Sequence, residues 1–178
     1  MATQFMWDIK MEIKVINADI TKIGEIADAI VNAANESLLG GSGVDGAIHR
    51  AAGPLLLEEC RKLGSCNPGE AKATRAYNLN NKYIIHTVGP RYWSDPNPKE
   101  TLRKAYINSL KVADSLGLKS IAFPSISTGA FGYPIKEAAE VCAEAISSYK
   151  SEHIEVVYMC IYFDEYTSEI YKNAFKIN

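Results

Sequence analysis

The chain has 178 residues, of which 47% are hydrophobic and 22% are charged, a composition typical of one soluble globular domain with a well-buried core. Nineteen basic and 21 acidic side chains give a net charge of -2, so the sequence lacks the basic excess of a general nucleic-acid binder. No segment reaches the roughly 18 consecutive apolar residues that cross a bilayer, and we expect no membrane association.

The amino terminus, MATQFMWDIK, lacks the charged start and apolar stretch of a secretory signal, so we expect a cytoplasmic protein. We treat residues 1–178 as one domain, with residues 1–11 as an amino-terminal extension. The four cysteines show neither C-x-x-C pairing nor metal-ligand spacing with the three histidines. We therefore expect reduced, mostly buried thiols and no structural metal.

The first half of the chain begins with two strand-like segments, residues 12–20, which alternate, and residues 29–34, which are short and apolar. A helical pattern follows over residues 45–64, and Gly53-Pro54 is predicted to break it into two helices. Strands are then predicted at residues 71–77 and 83–88.

The second half continues the alternation. A long helix is predicted at residues 99–116, where Gly117 ends it, and a strand at residues 120–126. A helix follows at residues 134–149, with Pro134 suited to its first position. The last elements are a strand at residues 154–163 and a helix of about a dozen residues from near Asp164. This order predicts an α/β fold with a largely parallel sheet and helices on both faces.

The stretch GGSGVDG contains, from Gly41, the pattern G-x-G-x-x-G that opens many dinucleotide-binding folds. Such folds place the glycines directly after a strand and an acidic residue at the end of the next strand. Here five residues separate Asn35 from Gly41, and no carboxylate stands at Tyr77 or Asn78. The dinucleotide interpretation therefore fails on context.

A second flexible loop, residues 127–132, also follows a strand and precedes a helix, as residues 41–44 do. Backbone N–H groups in loops of this kind can approach an anion without obstruction by side chains. In a parallel sheet both loops emerge at the edge where ligands usually bind. Together they indicate a diphosphate, or a phosphate beside a sugar, although each loop alone could be an ordinary turn.

Three stretches, VNAANESLLGGSGVDGAIHRAAG, YIIHTVGP and FPSISTGAFGYP, resemble the macrodomain family, and specifically its MacroD-type branch of ADP-ribose hydrolases. The resemblance runs from about residue 12 to residue 175. It implies a three-layer α/β/α fold around a mixed, largely parallel sheet, with ADP-ribose or its esters bound at the strand ends, no cofactor or metal, and a monomer.

The resemblance also implies roles for individual residues. Asp19 would accept a hydrogen bond from the adenine amino group, Ile20 would pack near the base, and Phe163 would flank it, although Asp19 could instead cap a turn and Phe163 could be ordinary core. Asn32 and Asn35 would meet the distal ribose, with a turn residue as the alternative for Asn35. The two loops would hold the diphosphate, with Phe131 near the distal ribose, through Gly41, Ser42, Gly43, Val44, Ser127, Thr128, Gly129, Ala130, Phe131 and Gly132.

Asp45 and Asn35 are the expected catalytic residues. An ionised Asp45, favoured by the helix dipole, would activate a water near an ester of the distal ribose. The alternative is a helix N-cap. His49, four residues after Asp45, and His86 are expected to be structural, and Ser42 replaces a glycine that the resembled loop more often carries. If that position needs a positive φ, serine would be strained there.

Four functions follow from these residues. The first is a hydrolase that removes mono-ADP-ribose from acidic side chains and deacetylates O-acetyl-ADP-ribose, by attack at the anomeric carbon or at the acyl carbonyl. The second is a non-catalytic reader of ADP-ribose. An RNA- or nucleotide-binding module and a phosphatase acting on ADP-ribose 1″-phosphate are the others. Asp45 favours the hydrolase, because a reader has no use for a carboxylate beside an ester.

Overall fold

The computed structural model of the protein describes residues 9–178. Of the predicted extension, residues 1–8 lie outside the described residues, and Ile9 forms an isolated antiparallel bridge with Ser151. The strands are β1 (Glu12–Asn17), β2 (Ala29–Ala33), β3 (Ala71–Arg75), β4 (Tyr83–Thr87), β5 (Ser120–Phe123) and β6 (Val156–Ile161). The helices are α1 (Gly43–Ala52), α2 (Pro54–Leu63), α3 (Pro98–Ser115), α4 (Ile135–Ser148) and α5 (Glu165–Phe175).

The strands form one six-stranded sheet in the order β1-β6-β5-β2-β4-β3. Every neighbouring pair is parallel except β3 and β4, which are antiparallel. The predicted mixed, largely parallel sheet is therefore confirmed. Five parallel strands end at the same edge, so the segments that follow β1, β2, β4, β5 and β6 are brought together there.

Alternating strand residues divide the core between the two faces of the sheet. Ile30, Ile84 and Ala122 pack with α1 and α2 on one face. Val31 and Ile85, one position later, pack with α3, α4 and α5 on the other face. This period-2 alternation produces the three layers, and the predicted α/β/α architecture is confirmed.

Several elements are shorter than predicted, among them β3, predicted at residues 71–77, and β6, predicted at residues 154–163. Two of the differences have a clear local cause. Strand β1 ends at Asn17, because Asp19 caps a short 3-10 turn at Ile20–Lys22. Strand β5 ends at Phe123, and the following Pro124 has no N–H to donate to a neighbouring strand.

Prolines mark two helix starts. Pro134 occupies the N-cap of α4 rather than its first helical position, so that part of the prediction was wrong. The predicted break between α1 and α2 is confirmed, since Gly53 lies between them with a φ of 91° and Pro54 begins α2.

All four cysteines are free and buried, as predicted. Burial raises the pKa of Cys60 and the pKa of Cys66 to about 11, which keeps both thiols protonated and unreactive at neutral pH. Among residues 9–178, no helix combines the length and the apolar character that a membrane crossing requires.

Candidate functional site

A cavity of about 230 Å³ opens at the sheet edge where β2, β4 and β5 end. The segments that follow these strands form its walls, and it contains most of both predicted phosphate loops. Its lining consists of Ala33, Ala34, Asn35, Gly41, Ser42, Gly43, Val44, Asp45, Gly89, Pro124, Ser125, Ile126, Ser127, Gly129, Ala130 and Phe131. The two loops therefore lie at one site, as the sequence predicts.

The first loop owes its path to glycines at three positions. Gly40 and Gly43 have φ angles of 92° and 60°, which glycine adopts without strain. Gly46, in the first turns of α1, approaches the carbonyl oxygen of Gly41 so closely that a Cβ there would overlap it. Ser42 has an extended backbone with a φ of -98°, so the predicted strain at this serine is absent.

The second loop is closed by backbone hydrogen bonds. The Tyr133 N–H donates to the Ser127 carbonyl at 2.9 Å, and the Gly132 N–H donates to the Gly129 carbonyl at 3.0 Å. Ser127 has a φ of 66°, a left-handed conformation that is uncommon for serine. Thr128 and Gly132 do not line the cavity, and the Thr128 hydroxyl instead donates to the Ser125 carbonyl at 3.0 Å. These two residues hold the loop shape.

Asp45 reaches the cavity from the first turn of α1, at the third helical position, and is only 5% exposed. Ser42 occupies the N-cap position, and its side chain makes no capping bond. The alternative in which Asp45 is the N-cap is therefore wrong. Burial raises the pKa of the Asp45 carboxyl, and this effect outweighs the hydrogen bond from Asn32 and the nearby His49, which both lower it.

Asn32 lies beneath the cavity and does not line it. Its side chain is fully buried, and its Nδ2 donates to Asp45 Oδ1 at 2.9 Å and contacts His86 Nδ1 at 3.1 Å. The structure thus brings Asn32 to the Asp45 carboxylate rather than to the wall of the cavity.

Asn35 lines the cavity and braces the first loop. Its Nδ2 donates to the Gly40 carbonyl at 3.0 Å, and its Oδ1 accepts from the Ser37 hydroxyl at 2.6 Å. Asn35 therefore fits both interpretations, because its side chain stabilises the turn of the first loop and also lines the cavity.

His49 lies one helical turn after Asp45, and its Nε2 is 3.5 Å from Asp45 Oδ1. This nitrogen is buried and has no hydrogen-bond partner within residues 9–178. A Cβ added to Gly40 would lie 3.6 Å from the His49 ring, so the ring is close to the first loop. The helical spacing thus brings the two side chains together, as the i, i+4 relation predicts.

Asp19, Ile20 and Phe163 lie outside this cavity, at the ends of β1 and β6. Thr21 donates two hydrogen bonds to Asp19 Oδ1, one from its N–H at 2.9 Å and one from its hydroxyl at 2.6 Å. The hydroxyl bond is the main reason why the pKa of Asp19 is lowered. Asp19 is therefore a cap, as the alternative held, and its Oδ2 takes part in neither bond.

Phe163 is 68% exposed, so the alternative that made it ordinary core is wrong. Its φ of 44° turns the chain sharply after β6, and its N–H donates to the Ile161 carbonyl at 3.0 Å. Since the Ala18 N–H donates to the same carbonyl at 3.0 Å, the ends of β1 and β6 are adjacent. Asp19 and Phe163 thus follow neighbouring strand ends at one end of the edge.

Sequence reasoning missed two contributors to the site. A Cβ on Gly89, just after β4, would overlap Ser127 Oγ, so this glycine permits the contact between two loops. Arg91 places its guanidinium carbon 4.5 Å from the centroid of the Phe131 ring and donates to Glu36 Oε1 at 2.8 Å. The Gly-Pro pair after β4 was the available signal for the first, but no spacing rule links residues 36, 91 and 131.

Known proteins share both the sequence pattern and this architecture. The family model described as Macro domain matches residues 31–142, more than half of the chain. The chain belongs to the macrodomain family. The predicted resemblance is thereby confirmed, and the matched segment contains both loops and Asp45.

Relatives and solved structures agree with this assignment. An O-acetyl-ADP-ribose deacetylase of Escherichia fergusonii is 49% identical over 172 residues, with 92% of this chain and 94% of that protein covered. The ADP-ribose glycohydrolase MACROD1 of Bos taurus is 48% identical over 159 residues, which cover 86% of this chain and 48% of the relative. A structure of the Oceanobacillus iheyensis macrodomain with ADP superposes with a TM-score of 0.85 at 41% identity, covering 91% and 88% of the two chains.

Proposed function

We propose that this macrodomain hydrolyses esters of the distal ribose of ADP-ribose without a metal, removing mono-ADP-ribose from acidic residues of proteins and deacetylating O-acetyl-ADP-ribose. The observation that carries the proposal is the position of Asp45, a buried carboxylate that lines the cavity between the two phosphate loops. The names of the relatives, an O-acetyl-ADP-ribose deacetylase and an ADP-ribose glycohydrolase, support the same class of reaction.

Asp45 would act as the general base. A carboxylate whose pKa is raised by burial is a stronger base than an exposed aspartate, and the hydrogen bond from Asn32 Nδ2 stabilises its ionised form. It would take a proton from a bound water as the oxygen of that water forms a bond with the anomeric carbon or the acyl carbon. In either case one C–O bond of the ester breaks, the proton taken by Asp45 passes to the departing oxygen, and ADP-ribose and a carboxylic acid result.

The rest of the ligand would follow the sheet edge away from Asp45. The backbones of residues 41–44 and 127–132 would hold the diphosphate, because exposed N–H groups in glycine-rich loops bind anions. Asn35 would orient the distal ribose from its position in the cavity wall. The adenine would lie beyond β6, where Phe163 offers an exposed ring and Asp19 Oδ2 could accept from the amino group.

The experiment is the release of ADP-ribose from a protein modified on glutamate, with the native chain and Asp45→Ala compared and ADP-ribose affinity measured on both. Release by the native chain, with binding but little release by the variant, supports the hydrolase. Binding by both proteins with release by neither makes the protein a reader of ADP-ribose. Equal release by both proteins would show that the reaction does not need Asp45.

We also propose that the protein acts as a monomer in the cytoplasm and that nucleic acids and membranes are not its partners. The net charge of -2, without a basic excess, supports the part of this proposal that concerns nucleic acids. Light scattering of the purified chain tests the first proposal, and binding to an unmodified RNA duplex at low salt tests the third. A stable dimer or tight RNA binding would overturn them.

A further inference from the structure

A buried hydrogen-bond chain runs from Asp45 away from the cavity and into the sheet. Asn32 Nδ2, on β2, lies 2.9 Å from Asp45 Oδ1 and 3.1 Å from His86 Nδ1, on β4. The opposite ring nitrogen, His86 Nε2, lies 2.9 Å from the Thr74 hydroxyl on β3. That hydroxyl in turn lies 3.0 Å from the carbonyl oxygen of Arg75. The neighbouring strands β2, β4 and β3 hold these groups in line.

The chemistry of the groups fixes the direction of every bond. An amide nitrogen only donates, so His86 Nδ1 must accept and therefore carries no proton. The proton of the neutral ring then sits on Nε2, which donates to Thr74 Oγ1. The Thr74 hydroxyl donates onward to the Arg75 carbonyl, which can only accept. All four contacts are satisfied at once by this single arrangement.

The orientation of the Asn32 amide depends on its two acceptors alone. Asn32 Oδ1 is buried and has no hydrogen-bond partner within the described part of the chain, so nothing holds the amide from its oxygen side. If the amide turned over, its oxygen would face the Asp45 carboxylate, and two negative oxygens would repel each other. Asp45 and His86 Nδ1 are thus the groups that keep the N–H bonds directed as they are.

We propose that His86 is a positioning residue for the hydrolysis. Its unprotonated Nδ1 accepts one N–H of the Asn32 amide, which directs the other N–H to Asp45 and so keeps Asp45 ionised. The catalytic part of this inference rests on the proposed function. His86 does not line the cavity, and Asn32 carries the hydrogen-bond link between its ring and Asp45. The His86 ring also neighbours the His49 ring, with centroids 6.4 Å apart.

Other groups facing Asp45 do not replace this contact. His49 Nε2, on α1, lies 3.5 Å from Asp45 Oδ1 without a hydrogen bond. The Cys60 thiol, on α2, is near enough for the charge of Asp45 to raise its pKa. Burial lowers the pKa of His86 to about 3, so the ring is neutral throughout the pH range in which the enzyme would work. His86 Nδ1 therefore remains a hydrogen-bond acceptor over this pH range, whereas a histidine with an ordinary pKa near 6.5 would lose its acceptor on protonation.

The first test is the pH dependence of kcat/KM on O-acetyl-ADP-ribose for three variants. His86→Leu removes the acceptor, and we expect the acid limb to move up by about one to two pH units, the effect of one hydrogen bond to a charged group. His86→Asn places an amide oxygen near the former Nδ1 and should restore most of the native profile. Cys60→Ala, which empties space 4.0 Å from His86 Nε2 and keeps the acceptor, should keep the native limb.

A native limb in a folded His86→Leu variant would overturn the inference, and so would equal shifts in all three variants, which would indicate a general packing effect. ADP-ribose affinity reports whether each variant is folded.

The second test uses the native chain and needs no activity. Nitrogen-15 NMR of the histidine rings should show His86 with its proton on Nε2 and without titration between about pH 5 and 8. A proton on Nδ1, or a titration in that range, would overturn the inference. If the native chain proves inactive on every ester, the proposed hydrolase function fails, while the tautomer measurement still decides whether His86 holds Asn32 and Asp45.

Discussion

A general base needs a high pKa, which makes it a stronger base, and it also needs to be ionised, and these two requirements oppose each other. The surroundings of Asp45 favour both. Its burial raises its pKa and so strengthens it as a base, while the N–H bond from Asn32 Nδ2 at 2.9 Å keeps the ionised form available. The buried charge costs stability, because a carboxylate removed from water is not fully compensated by one hydrogen bond. A residue that destabilises the fold and lies in a cavity is typical of a functional site.

Replacing Asp45 by asparagine should therefore separate activity from stability. The variant keeps the shape of the side chain and an oxygen for Asn32 Nδ2, but it has no charge to bury and no basic oxygen. We expect turnover to fall by ~10²–10⁴-fold, the usual worth of a positioned general base. We expect the thermal midpoint at neutral pH to stay the same or rise, measured by circular dichroism on both proteins. A variant that keeps its turnover would contradict the catalytic role, and a strongly lowered midpoint would contradict the energetic argument.

Phe163 should contribute to affinity and not to stability. Stacking of an aromatic side chain on a base is worth ~1–3 kcal/mol, so Phe163→Ala should raise the Kd for ADP-ribose roughly 5- to 150-fold. The thermal midpoint should hardly change, since the ring is exposed. Calorimetric titration gives the Kd.

Tyr162→Ala is the matched control for this prediction. Tyr162 is 70% exposed and packs edge-on against Phe163 with ring centroids 5.1 Å apart. We expect its loss to leave the Kd nearly unchanged. If the two alanine variants weaken binding equally, or neither does, Phe163 is not the adenine platform.

At the scale of an element, the first loop and α1 form one unit because Gly46 allows them to touch. A glycine-to-alanine change inside a helix normally stabilises it by roughly 0.5–1 kcal/mol. At Gly46 the added methyl would overlap the Gly41 carbonyl, which is backbone and cannot move without the loop. We expect Gly46→Ala to destabilise the protein by ~1–3 kcal/mol, as overpacking does, and to weaken ADP-ribose binding.

Gly129→Ala serves as the comparison, because a Cβ there meets nothing within 4 Å and the residue has no positive φ. Denaturant unfolding of the native chain and both variants measures the difference. Stability of Gly46→Ala equal to or above that of Gly129→Ala would show that the loop can shift freely.

The helices and strands were largely predictable from the sequence. A strand buried on both faces appears as a short apolar run, and a helix buried on one face repeats its apolar residues at helical spacing. Conformations of single loop residues were not. The strain expected at Ser42 is absent because the positive φ angles fall on Gly40 and Gly43 instead, and residue type alone does not assign them. Strand ends were missed by a few residues where a cap such as Asp19 stops the strand.

At the scale of the whole molecule, burial of the neutral His86 ring links stability to pH. Its pKa is about 3 in the folded protein and about 6.5 in an unfolded chain. Between these values the unfolded chain binds one more proton than the folded protein, so the stability contributed by neutral His86 is complete above pH 6.5 and is lost as the pH falls towards 3.

We expect the free energy of unfolding to fall by up to about 1.4 kcal/mol per pH unit from this residue alone over that window. Denaturant midpoints of the native chain and His86→Asn, measured from about pH 7 to pH 4, should converge as the pH is lowered, because the variant has no ring to protonate. Parallel curves would show that His86 is protonated in the folded protein or that the ring leaves the core.

The chemistry of the site was predictable from the sequence, but the hydrogen bonds that connect its residues were not. Motif order placed both loops and Asp45 at one edge, because parallel strands bring their following loops together. The sequence did not reveal that His86 and Thr74 reach Asp45 through Asn32, since the link depends on the order of β2, β4 and β3 in the sheet. Strand order arises from packing of the complete chain, which local patterns do not encode.

The most direct test of the account is the rate of O-acetyl-ADP-ribose hydrolysis by the native chain and by Asp45→Asn, each measured with and without an excess of a metal chelator. The account predicts steady turnover by the native chain that the chelator leaves unchanged, and a rate at least ~10²-fold lower for a folded variant. Loss of the native activity on chelation, or equal rates for the two proteins, would contradict it.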